Sequence, residues 1–285
     1  SGNTDGKLTI NKKDLTISNI TANNKTYDGT TTATLSNIGT LVGLVTGEDL
    51  VLNNPTSVIF SSKDVADGIA VTATGYTIAD KDSFKASNYN LLDTSKTTTA
   101  NISKADLTAT LNDNSKTYDG TSYSGGNGIT FNGFVNGETA SLLGGNLVYS
   151  GTSQGAKDAG NYIISGSGLT SNNYNISFVD GKLTINKKDL TISNITANNK
   201  TYDGTTTATL SNIGTLVGLV TGEDLVLNNP TSVIFSSKDV ADGIAVTATG
   251  YTIADKDSFK ASNYNLLDTS KTTTANIVAS VNPTP

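Results

Sequence analysis

Thr98-Thr99-Ala100-Asn101-Ile102-Ser103-Lys104-Ala105-Asp106-Leu107-Thr108-Ala109-Thr110-Leu111 is the stretch that decides the fold. Thr98, Ala100 and Ile102 fall on one side of an extended chain. After Lys104-Ala105-Asp106, Leu107, Ala109 and Leu111 alternate again. A period of two marks half-buried strands. One strand therefore runs almost directly into the next, with no Pro, Ser or Gly linker between them. The same reading applies to Lys182-Leu183-Thr184-Ile185-Asn186-Lys187-Lys188-Asp189-Leu190. Junctions of three or four residues leave little hinge freedom. The sequence thus predicts an all-β chain of tandem elongated modules, head to tail in a rod.

Working outward, residues 5–102 recur without a change as 180–277. A repeat at a fixed offset is read before any single motif. Lys25-Thr26-Tyr27-Asp28-Gly29-Thr30 returns at 116–121 and 200–205, so its tyrosines stand 91 and then 84 residues apart. The middle segment is a shorter relative of the outer copies. Gly43-Leu44-Val45-Thr46-Gly47-Glu48 corresponds to Gly133-Phe134-Val135-Asn136-Gly137-Glu138. Lys63-Asp64 corresponds to Lys157-Asp158, and Asn88-Tyr89-Asn90 to Asn173-Tyr174-Asn175. These landmarks divide the chain into a last-strand stump of a preceding module (1–10), three modules (11–103, 104–185, 186–279) and a tail (280–285). Leu8-Thr9-Ile10, which repeats the closing strand of the middle module, carries the stump reading. The sequence reads as a piece of something longer.

Each module buries only a thin core, as expected of about 80 to 90 residues. Apolar residues make up 35% of the chain and mean hydropathy is −0.18. Val, Ile, Thr and Tyr favour strands, while Asn, Asp and Gly clusters favour turns. Cys and His are absent, which removes disulfides, thiolate metal sites and the usual general base. Small domains without disulfides need another source of stability, and end-to-end stacking supplies one. The net charge of −6 gives nucleic acid no electrostatic footprint. No signal peptide or membrane-spanning run is visible.

Within the first module, Leu15 and Ile17 share a face, and Ile69, Val71 and Ala73 alternate. Tyr76 and Ile78 continue with the opposite parity after Gly75, which predicts a β-bulge there. A short helical turn is the one helix candidate, around residues 136–143. The Tyr-Asp-Gly-Thr steps read as tight turns with the ring packed on the core, in preference to ligand sites. Glu48-Asp49 and Asp80-Lys81-Asp82 read as solvated loop charge, since no Asp-x-Asp-x-Asp-Gly calcium loop is present. With no His available, the serines cannot form the usual triad. An autocatalytic Lys–Asn crosslink would need a buried Lys, Asn and acid. No catalytic, cofactor or metal residue is assigned, and no enzyme is predicted.

Together the landmarks resemble the YDG repeat domains of bacterial filamentous-haemagglutinin-like surface adhesins. The middle module, with Lys157-Asp158-Ala159-Gly160-Asn161-Tyr162, is similar to the MBG repeats that alternate with them. The resemblance implies extracellular repeats at a bacterial cell surface, and it supplies no catalytic residues. It leads to the expectation of a monomeric structural stalk, whose partners are the neighbouring modules of the same chain. Three modules in line would span roughly 100 Å. The alternative is a module that binds carbohydrate or host protein through an exposed aromatic patch. Its candidates are Tyr27, Tyr76, Tyr89, Tyr118, Tyr123, Tyr149, Tyr162 and Tyr174, with Tyr123 and Tyr149 foremost. Whether each module is an immunoglobulin-like sandwich or a β-grasp-like sheet is left open by the sequence, and homotypic association through edge strands is a third possibility.

Overall fold

Alternating Val, Ile, Thr and Leu become strands wherever Gly, Asn and Asp turns bound them. The computed structural model describes residues 5–280. Nearly all its regular structure is β, with short 3-10 turns at Ala86–Asn88, Ala140–Leu142 and Ala261–Asn263 and no α-helix among the described residues. The helical turn expected around 136–143 is the second of these. Among the described residues no helix is long and apolar enough to cross a membrane.

The first module has two small sheets. Lys13–Ser18 lies between Tyr89–Leu91, which pairs with it in parallel, and antiparallel Thr40–Val42. The second sheet runs Lys25–Thr26, Ser95–Ser103, Ala66–Thr74, Ser57–Phe60. Its closing strand Ser95–Ser103 pairs in parallel with Lys25–Thr26 and antiparallel with Ala66–Thr74. Ile17 from the first sheet packs with Ala73 from the second, so the two sheets share a core in the manner of a sandwich. Two small ribbons flank them, Thr21–Ala22 with Leu35–Asn37 and Val51–Asn53 with Thr77–Ala79.

Gly75 differs from the sequence expectation. Ala66–Thr74 ends just before it, and Thr77–Ala79 pairs with Val51–Asn53 instead. Side-chain parity changes because the chain leaves one sheet for another, so no bulge is needed. Glycine is required there: φ is +78°, and a Cβ would lie 2.1 Å from Thr56 Oγ1. The register shift in this sheet falls between Ala100 and Ile102.

The middle module repeats this strand order. Ala105–Leu111 lies between Ile129–Asn132 and parallel Tyr174–Val179, and the second sheet runs Asn114–Thr117, Gly181–Asn186, Gly160–Thr170, Gly144–Ser150. The third module reproduces the two main sheets of the first, strand for strand. At the junctions only Lys104 and Lys187 stand between strands. Residues 5–12 carry no strand, and Leu8 and Ile10 are exposed. The tail assignment falls mostly outside the described residues.

The described chain forms two compact units. The first comprises residues 5–110, Thr130–Leu147 and Gly168–Val179; the second comprises Leu111–Ile129, Val148–Ser167 and residues 180–280. The first unit thus joins the first module to the opening sheet of the middle module. Its core shows why. Tyr27, Phe60, Val71, Ala100 and Ile102 form one buried cluster with Ala105, Leu107 and Tyr174, and Phe131 and Phe134 pack against it. A thin core gains apolar burial by merging with its neighbour's. The second unit joins the closing sheet of the middle module to the third module.

Candidate functional site

The four sequence landmarks meet in space. In the first unit, the closing strand Ser95–Ser103 holds the turn after Lys25–Thr26, where the Tyr27 N–H donates to Ser103 O at 2.8 Å. Asp28 accepts from Thr30 N at 2.8 Å and from Lys25 Nζ at 2.7 Å. With Gly29 at φ +75°, this local network fixes the turn and aims the Tyr27 ring. Opposite stands Tyr174, which opens its strand and meets Tyr27 edge to face at 5.5 Å. Both hydroxyls converge on one carboxylate. Tyr27 Oη donates to Glu138 Oε1 and Tyr174 Oη to Glu138 Oε2, each at 2.6 Å. Lys63 Nζ donates to Glu138 Oε1 at 3.1 Å, and the Val135 N–H donates to Tyr174 Oη at 3.1 Å.

The Glu138 side chain is only 8% exposed. A carboxylate so enclosed is costly unless its lone pairs are filled, and three donors fill them. Burial alone pushes the Glu138 carboxyl up, but the bonds from Tyr174, Tyr27 and Lys63 together bring it below its ordinary 4.5. Burial first, and then the bond to Glu138, pushes the Tyr174 hydroxyl up to about 12. Tyr27 moves up for the same two reasons.

A second clamp lies beside the first. Asn173 Oδ1 accepts from the Val65 N–H at 3.0 Å, and Asn173 Nδ2 donates to Asp64 Oδ1 at 2.9 Å. The asparagine of Asn-Tyr-Asn thus reads the Lys-Asp step of the module before it.

The second unit repeats the arrangement with the middle module in the other role. Tyr118 Oη donates to Glu223 Oε1 at 2.7 Å and Tyr264 Oη to Glu223 Oε2 at 2.6 Å, the rings 5.4 Å apart. Burial followed by the Glu223 bond pushes Tyr264 up to about 12 and Tyr118 up as well. Asn263, buried to 2% exposure, accepts from the Ala159 N–H at 2.7 Å and donates to Asp158 Oδ1 at 3.0 Å. The ion pair changes sides: Lys260 Nζ reaches Asp158 Oδ2 at 2.6 Å and holds its carboxyl below the usual range.

The arrangement can bind one module end to the next. Sequence reading placed the tyrosines on the core but missed the glutamates. A signal existed: Glu occurs only at 48, 138 and 223, once per module and always in the Gly-x-Val-x-Gly-Glu step. Of the tyrosines proposed as an exposed patch, Tyr27, Tyr76, Tyr89, Tyr118 and Tyr174 are buried. Tyr123, Tyr149 and Tyr162 are half-buried with their hydroxyls engaged. Asn114 Nδ2 donates to the first and the Gly128 N–H to the second, while the third donates to Asp158 O. Asp49 pairs with Lys81 and Asp80 with Lys85. No group of three or more metal-ligating side chains occurs among the described residues.

Residues 11–100 and 186–275 match the model of the YDG domain, and residues 107–184 match that of the MBG domain (YGX type). Comparison with curated proteins finds no match.

Proposed function

Because the chain belongs to the YDG domain family, we propose that it is a run of stalk repeats from a bacterial cell-surface adhesin, spacing a binding region away from the cell. The observation that carries this reading is the recurrence of one joint chemistry. Two different module ends and two different module starts are fastened by the same tyrosine–glutamate–tyrosine bridge and asparagine clamp. A chain whose repeated residues serve concatenation is suited to being lengthened by adding modules. The role requires no catalysis and no cofactor, and it places the modules outside the cell with one another as partners.

Small-angle scattering on chains of increasing module number tests the proposal. A spacer predicts a maximum dimension that rises with every module added and no saturable binding to arrayed glycans or host matrix proteins. Saturable binding by the present chain, with a dimension that does not grow, would replace the stalk by a carbohydrate- or protein-binding module.

A further inference from the structure

The first module opens on a surface whose twin, in the third module, is covered. We infer that Glu48, Asn88 and Tyr89 form a docking surface for the closing end of a second middle-type module, one that presents a Tyr118-like hydroxyl and an Asp158-Ala159 step. The half-joint is already assembled. Tyr89 Oη donates to Glu48 Oε2 at 2.5 Å, and the Val45 N–H donates to Tyr89 Oη at 3.2 Å. In the twin, Glu223 Oε1 takes the Tyr118 hydroxyl. Among the described residues no tyrosine stands on Glu48 Oε1. Asn88 is exposed where Asn263 is buried. Lys85 folds back onto Asp80 at 2.9 Å, whereas Lys260 reaches across to Asp158. Because the two surfaces have one sequence, whatever side chains hold the middle-type end at 223–264 are present at 48–89.

The identity of the occupant follows from the turns. Gly29, at the close of the outer-type module, lies against Asn136: Asn136 Nδ2 donates to Gly29 O at 3.2 Å. Outer-type starts carry Thr46 and Thr221 at that position. An outer-type end is thus fitted to a middle-type start. The threonine-bearing start is seen taking the middle-type end, with Gly120 against Val220 and Glu223. The inference rests on joint geometry and would survive a finding that the chain binds glycans.

The test needs no foreign residue. Residues 5–10 repeat 180–185, so fusing residues 104–179 directly before Asp5 writes a complete middle-type module onto the chain. Hydrogen exchange of backbone segments 45–49 and 86–89 is compared in the original and extended chains. Docking predicts exchange slower by about tenfold, the factor that corresponds to one added charge-assisted bond of about 1.4 kcal/mol. Glu48→Gln in the extended chain should remove most of that gain. Should that variant fail to fold, Tyr118→Phe in the added copy makes the same cut from the other side. Equal exchange in the two chains, or a gain untouched by either substitution, would overturn the inference.

Discussion

The first and third modules share one sequence up to Ile102 and Ile277, differ at Ser103 and Val278, and have two sets of surroundings. Their main sheets match strand for strand, and both leave the same tyrosine hydroxyl unpaired in the core. Their ends differ. Tyr27 is 2% exposed beneath the middle module, whereas its copy Tyr202 is 41% exposed; Val65 is half-buried, whereas Val240 is 52% exposed. The module interior is therefore set by its own sequence, and the state of its ends by what abuts them. Duplicate modules separate these contributions with only the change from Ser103 to Val278 at the closing strand between them.

Substitution should widen the contrast. Tyr27→Ala removes a buried ring, its edge contact with Tyr174 and a donor to an enclosed carboxylate, so about 3 to 4 kcal/mol of stability should be lost from the first unit. Tyr202→Ala, the same change in the same sequence, should cost about 1 kcal/mol or less. Denaturant unfolding of the two variants checks this, and equal losses would mean that the joint contributes little.

The same joint should respond to pH. Glu138 is depressed in the folded state, so its contribution is present above the ordinary 4.5 and is lost as pH falls through the lower folded value. Tyr174 and Tyr264 are raised from 10.0 to about 12, so their contribution is complete below 10 and disappears between 10 and 12. Thermal melts across both windows should show two shoulders. In a Glu138→Gln chain the acid shoulder should shrink in the first unit. An unchanged acid profile would place the sensitive carboxylate elsewhere.

Much of this was legible beforehand, and the limits are instructive. Alternation at 98–111 gave both strands and the near-absence of a linker, because period two is a local property. Four recurring landmarks divide the sequence into modules. What they do together was hidden, since Tyr27 and Glu138 stand 111 residues apart and neither neighbourhood names the other. The parity flip at Gly75 has two physical causes, a bulge or a change of sheet, and only the pairing of Thr77–Ala79 separates them. Lys85 and Lys260 make the deeper point: identical sequences choose different partners, so a reading of one copy alone is incomplete.

A smaller contrast lies in the turn. Gly29 and Gly204 have φ near +75° and +79°, so alanine strains both alike by about 1 kcal/mol. At Gly29 a Cβ would also lie 2.7 Å from Asn136 Cβ, while at Gly204 it would meet nothing within 4 Å. Gly29→Ala should therefore destabilise by about 1 kcal/mol more than Gly204→Ala in parallel unfolding experiments. A shared loss would show that Asn136 moves aside freely.

The smallest effect should be the one that abolishes the contrast. Tyr76 and Tyr251 occupy equivalent core sites, Tyr76 with Ile17 and Ala73 and Tyr251 with Ile192 and Ala248. Each buries a hydroxyl without a hydrogen-bond partner. Burial alone pushes both hydroxyls up. An unsatisfied buried donor costs free energy that phenylalanine would not incur, at the expense of a small void. Tyr76→Phe and Tyr251→Phe should thus be neutral or stabilising by up to about 1 kcal/mol, and by equal amounts, because neither site touches a joint. Unequal shifts would mean that the neighbouring module reaches into the core, and that the division between intrinsic interior and contextual end is drawn in the wrong place.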